Sequence, residues 1–310
     1  MKRFNFLALA LAAGAAPLFL VLSAKADLAQ MNDGAPLIFI KSTGGQITVR
    51  PGEPNGMVRV PGNPPGVQMN RFNVSREAHG KFVLPPIRGG GGGRPFGGPR
   101  PFNIPQRQFN VPNLQEGPHG VQIDNPGGDL PVGVPNHFEG MVINAGASPV
   151  LMEQTRGPYL IVGQGDVALH DVGGFGWVRT SGNVEVRNPS GGMGVEEIGA
   201  GRIILQSGPS LERAQIASVN GDVEWTINGV GGGPYRVNAG TGLVKIFVRP
   251  GVGANIDAYS TGGSVVSYLD PSMANVTFAR PHAVSLVVGG GGPQITIENR
   301  FGNVIIAAAP

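Results

Sequence analysis

Two glutamates occupy equivalent positions in a repeated phrase and are the first candidates for chemistry. Glu185 lies in the phrase TSGNVEV and Glu224 in the phrase VNGDVEW, with Glu196 and Glu197 in the repeat between them. On strands two repeats apart, the carboxylates of Glu185 and Glu224 would be about 10 Å apart. That separation is near the upper limit for the acid and base of an inverting glycoside hydrolase. Because Lys245 falls in the same column, we expect a solvated strand face, with catalysis as the alternative.

Metal-ion and thiol chemistry have little support in this sequence. The chain has no cysteine, which excludes disulfides, thiolate metal sites, cysteine nucleophiles and a lipoprotein attachment thiol. Its histidines are not spaced as metal ligands. They are His79, His119, His137, His170 and His282. We therefore expect no catalytic, cofactor-binding or metal-binding residues.

A basic segment lies between Glu77 and Glu116. It contains five basic residues and no acidic one: Lys81, Arg88, Arg94, Arg100 and Arg107. The segment includes the glycine run 89–93 but no phosphate-loop motif, and export would make nucleic acid an unsuitable partner. These residues predict weak, salt-sensitive contact with anionic envelope polymers, and a flexible linker is the alternative.

The elements that would position these groups come from a repeat. A phrase of glycine, one variable residue and alternating apolar residues recurs at Gly165, Gly182, Gly201, Gly221, Gly242, Gly263 and Gly302. A period of about 20 residues indicates a repeat architecture. The interval between the last two glycines is about two periods, which predicts a further coil near residues 282–286 without its glycine.

The alternation in each phrase predicts a half-buried strand. The second and fourth residues after each glycine would face the core, and the glycine would adopt a turn conformation closed to other residues. A second strand precedes many of these turns, with Phe175 and Trp177 in one of them at the inward positions. We expect Trp177 and Trp225 to fill the core and Asp166 and Asp222 to act as turn formers. The fold class predicted is all-β, a single β-solenoid or β-helix-like stack of ~20-residue coils.

The predicted domain boundaries follow composition. Residues 136–310 carry the repeat, and residues 51–135 form a Gly/Pro-rich low-complexity insert, long and disordered, that cannot build a core. Residues 27–50 contain a strand pair that matches the repeat template: Ile38 and Ile40, then Ile47 and Val49. We expect this pair to join the stack as its first coil, and a chance hairpin is the alternative.

The first 26 residues have the pattern of a cleavable signal peptide. Lys2 and Arg3 precede an apolar run, and Ala24-Lys25-Ala26 provides small residues at the cleavage site. Cleavage would remove three of the 23 basic residues and no acidic one, which leaves 20 of each. The basic character of the whole chain therefore belongs to the leader and does not indicate nucleic-acid binding. The expected location is the periplasm, the cell surface or the medium, with membrane contact only through the signal peptide.

Three segments carry a family resemblance: TSGNVEV at 180–186, VNGDVEW at 219–225 and RPGVGANIDA at 249–258, the last followed by the Ser260-Thr261-Gly262-Gly263 turn. Over residues 160–310 the chain resembles the bacterial putative-adhesin family of β-strand-repeat domains. That resemblance implies a solenoid fold and a surface role, and it implies no catalytic residues. The long Gly/Pro-rich insert departs from the family pattern.

These features predict an exported protein with a structural or adhesive role and no catalysis. Envelope polysaccharide or another surface molecule would be its partner. Two alternatives remain open. The first is a carbohydrate-active enzyme, a polysaccharide lyase or hydrolase on a β-helix scaffold. The second is a self-assembling coat subunit that associates through the ends of the solenoid, where the apolar C-terminus, residues 305–310, would expose a strand edge.

Overall fold

A computed structural model describes residues 37–52, 58–62, 64–73, 82–83, 108–109, 119–136, 138 and 140–310. Every regular element in these residues is a β-strand, and no described helix is long and apolar enough to cross a membrane. The strands are β1 (Leu37–Ser42), β2 (Ile47–Pro51), β3 (Gln68–Asn73), β4 (Phe82–Val83), β5 (Gln108–Phe109), β6 (His119–Asn125), β7 (Leu130–Val134), β8 (Gly140–Gly146), β9 (Val150–Glu153), β10 (Tyr159–Gly163), β11 (Val167–His170), β12 (Phe175–Thr180), β13 (Val184–Arg187), β14 (Gly191–Glu197), β15 (Ile203–Ser207), β16 (Leu211–Ser218), β17 (Val223–Ile227), β18 (Tyr235–Ala239), β19 (Val244–Val248), β20 (Ala254–Ser260), β21 (Val265–Ser267), β22 (Ala274–Arg280), β23 (Ala283–Val288), β24 (Gln294–Asn299) and β25 (Val304–Ala308).

Most strands belong to two large, mainly parallel sheets. Sheet 1 has 13 strands in the order β22-β23-β20-β24-β18-β16-β14-β12-β10-β8-β1-β6-β3, and sheet 2 has 10 in the order β21-β25-β19-β17-β15-β13-β11-β9-β2-β7. From β8 to β19 the chain alternates between the sheets, and from β10 onward each strand pairs in parallel with the strand two before it. A separate two-stranded sheet pairs β4 with β5 in antiparallel fashion.

One hydrophobic cluster contains residues of both large sheets. The second and fourth positions after each repeat glycine were predicted to face this core, and 13 of those 14 residues are buried. They are Val167, Leu169, Val184, Val186, Ile203, Leu205, Val223, Trp225, Val244, Ile246, Val265, Val304 and Ile306. The exception is Ser267, which is partly exposed. Burial of one such Val, Leu or Ile side chain stabilises the fold by about 1.5–3 kcal/mol.

The repeat glycines form a column, but the reason for glycine differs from the one predicted. None of the seven glycines that identified the repeat has a positive φ, whereas Gly45 before β2 and Gly128 before β7 do, at 72° and 87°. At Gly182 an added Cβ would lie 2.6 Å from the backbone carbonyl carbon of Gly165, and at Gly221 it would overlap the carbonyl oxygen of Gly201. Glycine is therefore required because successive turns approach too closely for a side chain.

The residue that follows several of these glycines forms a side-chain hydrogen bond to the next turn. Asp166 Oδ1 accepts a hydrogen bond from the Asn183 backbone N–H at 2.7 Å, and Asn183 Oδ1 accepts one from Arg202 at 2.9 Å. Asp222 Oδ1 accepts in the same way from Leu243 at 2.8 Å. Asp and Asn are thus turn residues here, and their oxygens satisfy backbone donors of the neighbouring turn.

The stack begins differently from the sequence prediction. β1 lies between β6 and β8, and β2 lies between β7 and β9, so residues 37–51 form the second strand pair and not the first. The outer pair, β6 and β7, comes from residues that composition assigned to the insert ending at 135. There Val121, Ile123, Leu130 and Val132 are all buried. Because they alternate about the Pro126-Gly127-Gly128 turn, these residues build core despite their Gly/Pro-rich context.

The other end of the stack also departs from sequence order. β24 lies between β18 and β20, and β25 lies between β19 and β21, so the apolar C-terminal strand is interior and exposes no edge. The predicted extra coil near 282–286 is instead β23, which pairs in antiparallel fashion with β20 and β22. The hairpin of β22 and β23 extends sheet 1 by two strands beyond the last strand pair, β20 and β21.

Candidate functional site

Glu185 and Glu224 lie on the outer face of sheet 2. The strand register places each of them directly beside Ile204, which lies on the strand between them, and Lys245 follows Glu224 on the next strand. The two glutamates thus share the predicted outward column, two strands or about 10 Å apart. Both side chains are partly exposed, at 35% and 25%.

Each of these carboxylates has its own arginine. Arg187 Nη2 lies 2.5 Å from Glu185 Oε1, and Arg202 Nη2 donates a hydrogen bond to Glu224 Oε2. An acid and base pair for glycoside cleavage would face one another across the substrate, with one carboxyl held neutral by its surroundings. Two separate ion pairs on one sheet face instead resemble the exposed pairs common on protein surfaces.

A third charged group lies farther along the same face. Arg50 Nε is 2.6 Å from Glu153 Oε2, and His170 Nδ1 is 3.7 Å from Glu153 Oε1. The His170 Nε2 atom is buried and has no hydrogen-bond partner. This group joins strands β2, β9 and β11. It contains only two residues that could bind a metal, and among the described residues no cluster of three or more such residues occurs.

His282 is the other histidine whose side chain the structure describes, and it does not join this group. His282 Nδ1 lies 2.5 Å from the backbone carbonyl oxygen of Gly263, at the C-terminal end of the stack. The side chains of His79, His119 and His137 lie outside the described residues.

Glu196 and Glu197 belong to sheet 1, so they do not form a group with Glu185 and Glu224. Glu197 is fully buried at the end of β14, in register with Thr180 and Ser218. Its Oε1 accepts backbone hydrogen bonds from Gly199 at 2.5 Å and Gly201 at 3.0 Å. Its Oε2 accepts one from the Ser218 hydroxyl at 3.0 Å. With both oxygens occupied, the Glu197 carboxylate holds the turn between β14 and β15.

The carboxyl group of Glu196 is less well hydrogen-bonded than that of Glu197. Its side chain is 8% exposed, and its Oε2 lies 3.6 Å from Arg179 Nε without a hydrogen-bond partner. Burial raises the pKa of Glu196, and the nearby positive charge of Arg179 opposes that shift. A buried carboxyl of this kind is a candidate for pH-dependent stability.

The two tryptophans have different positions, although both were predicted to face the core. Trp225 does so: it is fully buried, its Nε1 donates to Ser207 Oγ at 2.9 Å, and its ring lies 5.7 Å from that of Tyr235. Trp177 is also buried, at 4% exposed, but its side chain lies on the face of sheet 1 opposite the hydrophobic cluster. Its neighbours Gly176 and Val178 continue the inward positions of Tyr159 and Ile161, so Trp177 is on the outer face of sheet 1.

The five basic residues that were predicted to contact anionic polymers are not among the residues that the structure describes. Lys81, Arg88, Arg94, Arg100 and Arg107 all lie outside the described residues. Their proposed contact with anionic polymers stays a prediction from the sequence.

Sequence reasoning missed a set of exposed apolar residues at the C-terminal end of the stack. Their exposed fractions lie between 43% and 68%, and they are Tyr259, Tyr268, Val276, Phe278 and Phe301. The segment 274–280, ANVTFAR, carried the available signal, because it is rich in strand-forming residues but lacks the glycine that begins the repeat.

Comparison with known proteins gives little guidance. No family model matches the chain, and no curated protein sequence matches it. Among solved structures, the crystal structure of a "putative cell adhesion protein" from Clostridium sporogenes shares 10% identity, with 89% of this chain and 93% of that chain covered, at a TM-score of 0.28. A likeness at that level carries no argument about fold or function, so the adhesin resemblance stays a prediction.

Proposed function

We propose that this chain is an exported β-solenoid with a structural or adhesive role at the cell envelope. Its basic Gly/Pro-rich segment would contact anionic envelope polymers through Lys81, Arg88, Arg94, Arg100 and Arg107. The two mainly parallel sheets and their shared core support a solenoid as the rigid carrier of that segment. The apolar leader at 1–26 supports export.

The distribution of charge carries this proposal. On the outer face of sheet 2, three ion pairs neutralise their own charges: Arg50 with Glu153, Arg187 with Glu185, and Arg202 with Glu224. Between Glu77 and Glu116, by contrast, five basic residues occur without an acidic one. Since an unbalanced run of charge attracts a polyanion and a balanced face does not, the segment is the better candidate for polymer contact.

The proposal includes no catalysis. Glu185 and Glu224 are the best catalytic candidates from the sequence, and each is bound to a separate arginine on an open sheet face. The competing function is a polysaccharide lyase or hydrolase that uses this pair.

The test is co-sedimentation of the chain from Asp27, the predicted mature form, with cell envelopes and insoluble anionic polysaccharides. We expect pelleting at low salt and loss of pelleting as salt rises, because salt screens exposed charges. Replacement of all five basic residues by glutamine should abolish the salt-sensitive pelleting. Unchanged pelleting of that variant would show that the contact lies elsewhere.

The matched control carries Glu185→Gln and Glu224→Gln. It should pellet as the unaltered chain does, and neither protein should release new sugar ends. Release of sugar by the unaltered chain but not by this control would replace adhesion with the enzymatic function.

A further inference from the structure

The last strand of sheet 1 has one unpaired edge. β22 is hydrogen-bonded to β23 on one side, and no other described strand follows it. Sheet 2 ends earlier, at β21, so the β22–β23 hairpin lies beyond the last strand pair. The free edge presents a row of backbone N–H and C=O groups that another extended chain can pair with.

The side chains of β22 are exposed on both faces. Every residue from Asn275 to Arg280 is exposed, including Val276 at 54% and Phe278 at 43%. On β23, by contrast, alternate residues are buried, such as Leu286 at 2%. Natural edge strands are usually protected by charges or proline. Residues 274–279 have neither, and a bulge between Val276 and Phe278 is the protective feature present.

The charges around β22 are arranged with opposite signs at its two ends. Arg280 ends the strand, and its guanidinium lies 5.4 Å from the centre of the Phe278 ring. Asp270 lies in the exposed turn that precedes Ala274 and is the one acidic residue of 268–280. In an antiparallel pair, the end of one strand lies beside the beginning of the other. Two copies of β22 would therefore bring Arg280 of each copy towards Asp270 of the other.

We propose that two copies of this chain associate through antiparallel pairing of their β22 strands. The contact satisfies both free edges, covers Val276 and Phe278, and continues sheet 1 across a two-fold axis. The opposite charges at the strand ends select a second copy over an unrelated strand. This inference goes beyond polymer binding, and a dimer would carry two polymer-contacting segments, which increases avidity.

Sedimentation equilibrium over a range of protein concentrations tests the dimer directly. The unaltered chain should show a reversible monomer–dimer equilibrium. Val276→Lys should raise the dimer dissociation constant at least about tenfold, which corresponds to ~1.4 kcal/mol. The matched control is Val219→Lys, because Val219 is 48% exposed and follows β16, away from the end of the sheet. A monomer at every concentration overturns the proposal, as does equal weakening by both variants.

A charge exchange tests the two-fold arrangement. Arg280→Glu alone and Asp270→Arg alone should each weaken the dimer, since both place like charges together twice. An equimolar mixture of these two variants should dimerise again, because each heterodimer contains two opposite-charge pairs. Circular dichroism would establish that each variant is folded. Failure of the mixture to recover, with both variants folded, overturns the antiparallel arrangement.

Discussion

The indole ring of Trp177 covers Gly194 on the neighbouring strand of sheet 1. A Cβ added to Gly194 would overlap the six-membered ring of the indole. Tyr159 and Gly176 make the corresponding pair on the core side, where a Cβ at Gly176 would overlap the tyrosine ring. Large aromatic rings thus fit on both faces of sheet 1, because the glycine beside each ring on the next strand leaves room for it. These glycines serve packing and not turns.

Gly194→Ala should destabilise the protein by ~1–3 kcal/mol, the range for overpacking of a well-packed site. The new methyl group would force Trp177 out of its position against β14. Gly194 does not have a positive φ, so the loss would come from crowding and not from backbone strain. Urea unfolding followed by tryptophan fluorescence would measure it.

Gly208→Ala is the matched control, because a Cβ at Gly208 would meet no atom within 4 Å. It should leave the unfolding midpoint nearly unchanged. In a Trp177→Leu background the cost of Gly194→Ala should fall, since the crowding partner is smaller. Equal costs in the two backgrounds would mean that the Trp177 ring is not what excludes a side chain there.

The glycine column makes a second prediction. At Gly221 a Cβ would overlap the backbone oxygen of Gly201, which cannot rotate away as a side chain can. Gly221→Ala should therefore cost at least as much as Gly194→Ala, at or above ~3 kcal/mol. Thermal unfolding would detect a lowered transition or a chain that no longer folds.

Gly232→Ala provides the comparison for Gly221, because it also adds one methyl group to a turn but into open space. It should unfold close to the unaltered protein. If Gly221→Ala were equally harmless, the turns would have to be farther apart than the structure places them.

The repeat could be predicted from sequence because alternation and glycine spacing are local. Thirteen of 14 predicted core positions are buried for that reason. The orientation of Trp177 could not be predicted in this way. In Phe175-Gly176-Trp177-Val178, apolar residues occupy both parities, and the choice between faces depends on Tyr159 and Gly194 on the adjacent strands.

The order of the strands at the two ends of the stack also could not be predicted from local sequence patterns. β24 and β25 match the repeat template, so the sequence identifies them as equivalent to other pairs but not as neighbours of β18 and β19. Likewise, β1 and β2 match the template without indicating that β6 and β7 would lie outside them. The candidate site could be predicted from the sequence only in part. The shared column of Glu185 and Glu224 follows from the strand register, which the repeat makes predictable. Their arginine partners depend on side-chain conformations, which it does not.

Ser207 and Trp225 make a third prediction. Trp225 Nε1 donates to Ser207 Oγ, which donates in turn to the Gly229 carbonyl oxygen at 3.1 Å. Ser207→Ala leaves the buried indole N–H without its acceptor and should cost ~1–3 kcal/mol. In a Trp225→Phe background the same substitution should cost less, because no indole donor remains. Urea midpoints for the four proteins would give the coupling, and a coupling near zero would contradict this role for Ser207.

The fourth prediction concerns pH and Glu196. Because burial raises the pKa of Glu196 in the folded protein, folding favours the neutral carboxyl. This contribution to stability is fully present below the ordinary pKa of glutamate and is lost as pH rises through the raised folded value. Glu196→Gln, which cannot ionise, should therefore unfold at a higher temperature than the unaltered protein at about pH 7 to 8. The difference should vanish at about pH 4, near the ordinary pKa of glutamate.

Glu298→Gln is the control, because Glu298 is exposed on the same face of sheet 1 and should show no such trend. A lower unfolding temperature for Glu196→Gln at neutral pH would mean that attraction to Arg179 outweighs the cost of burying the charge.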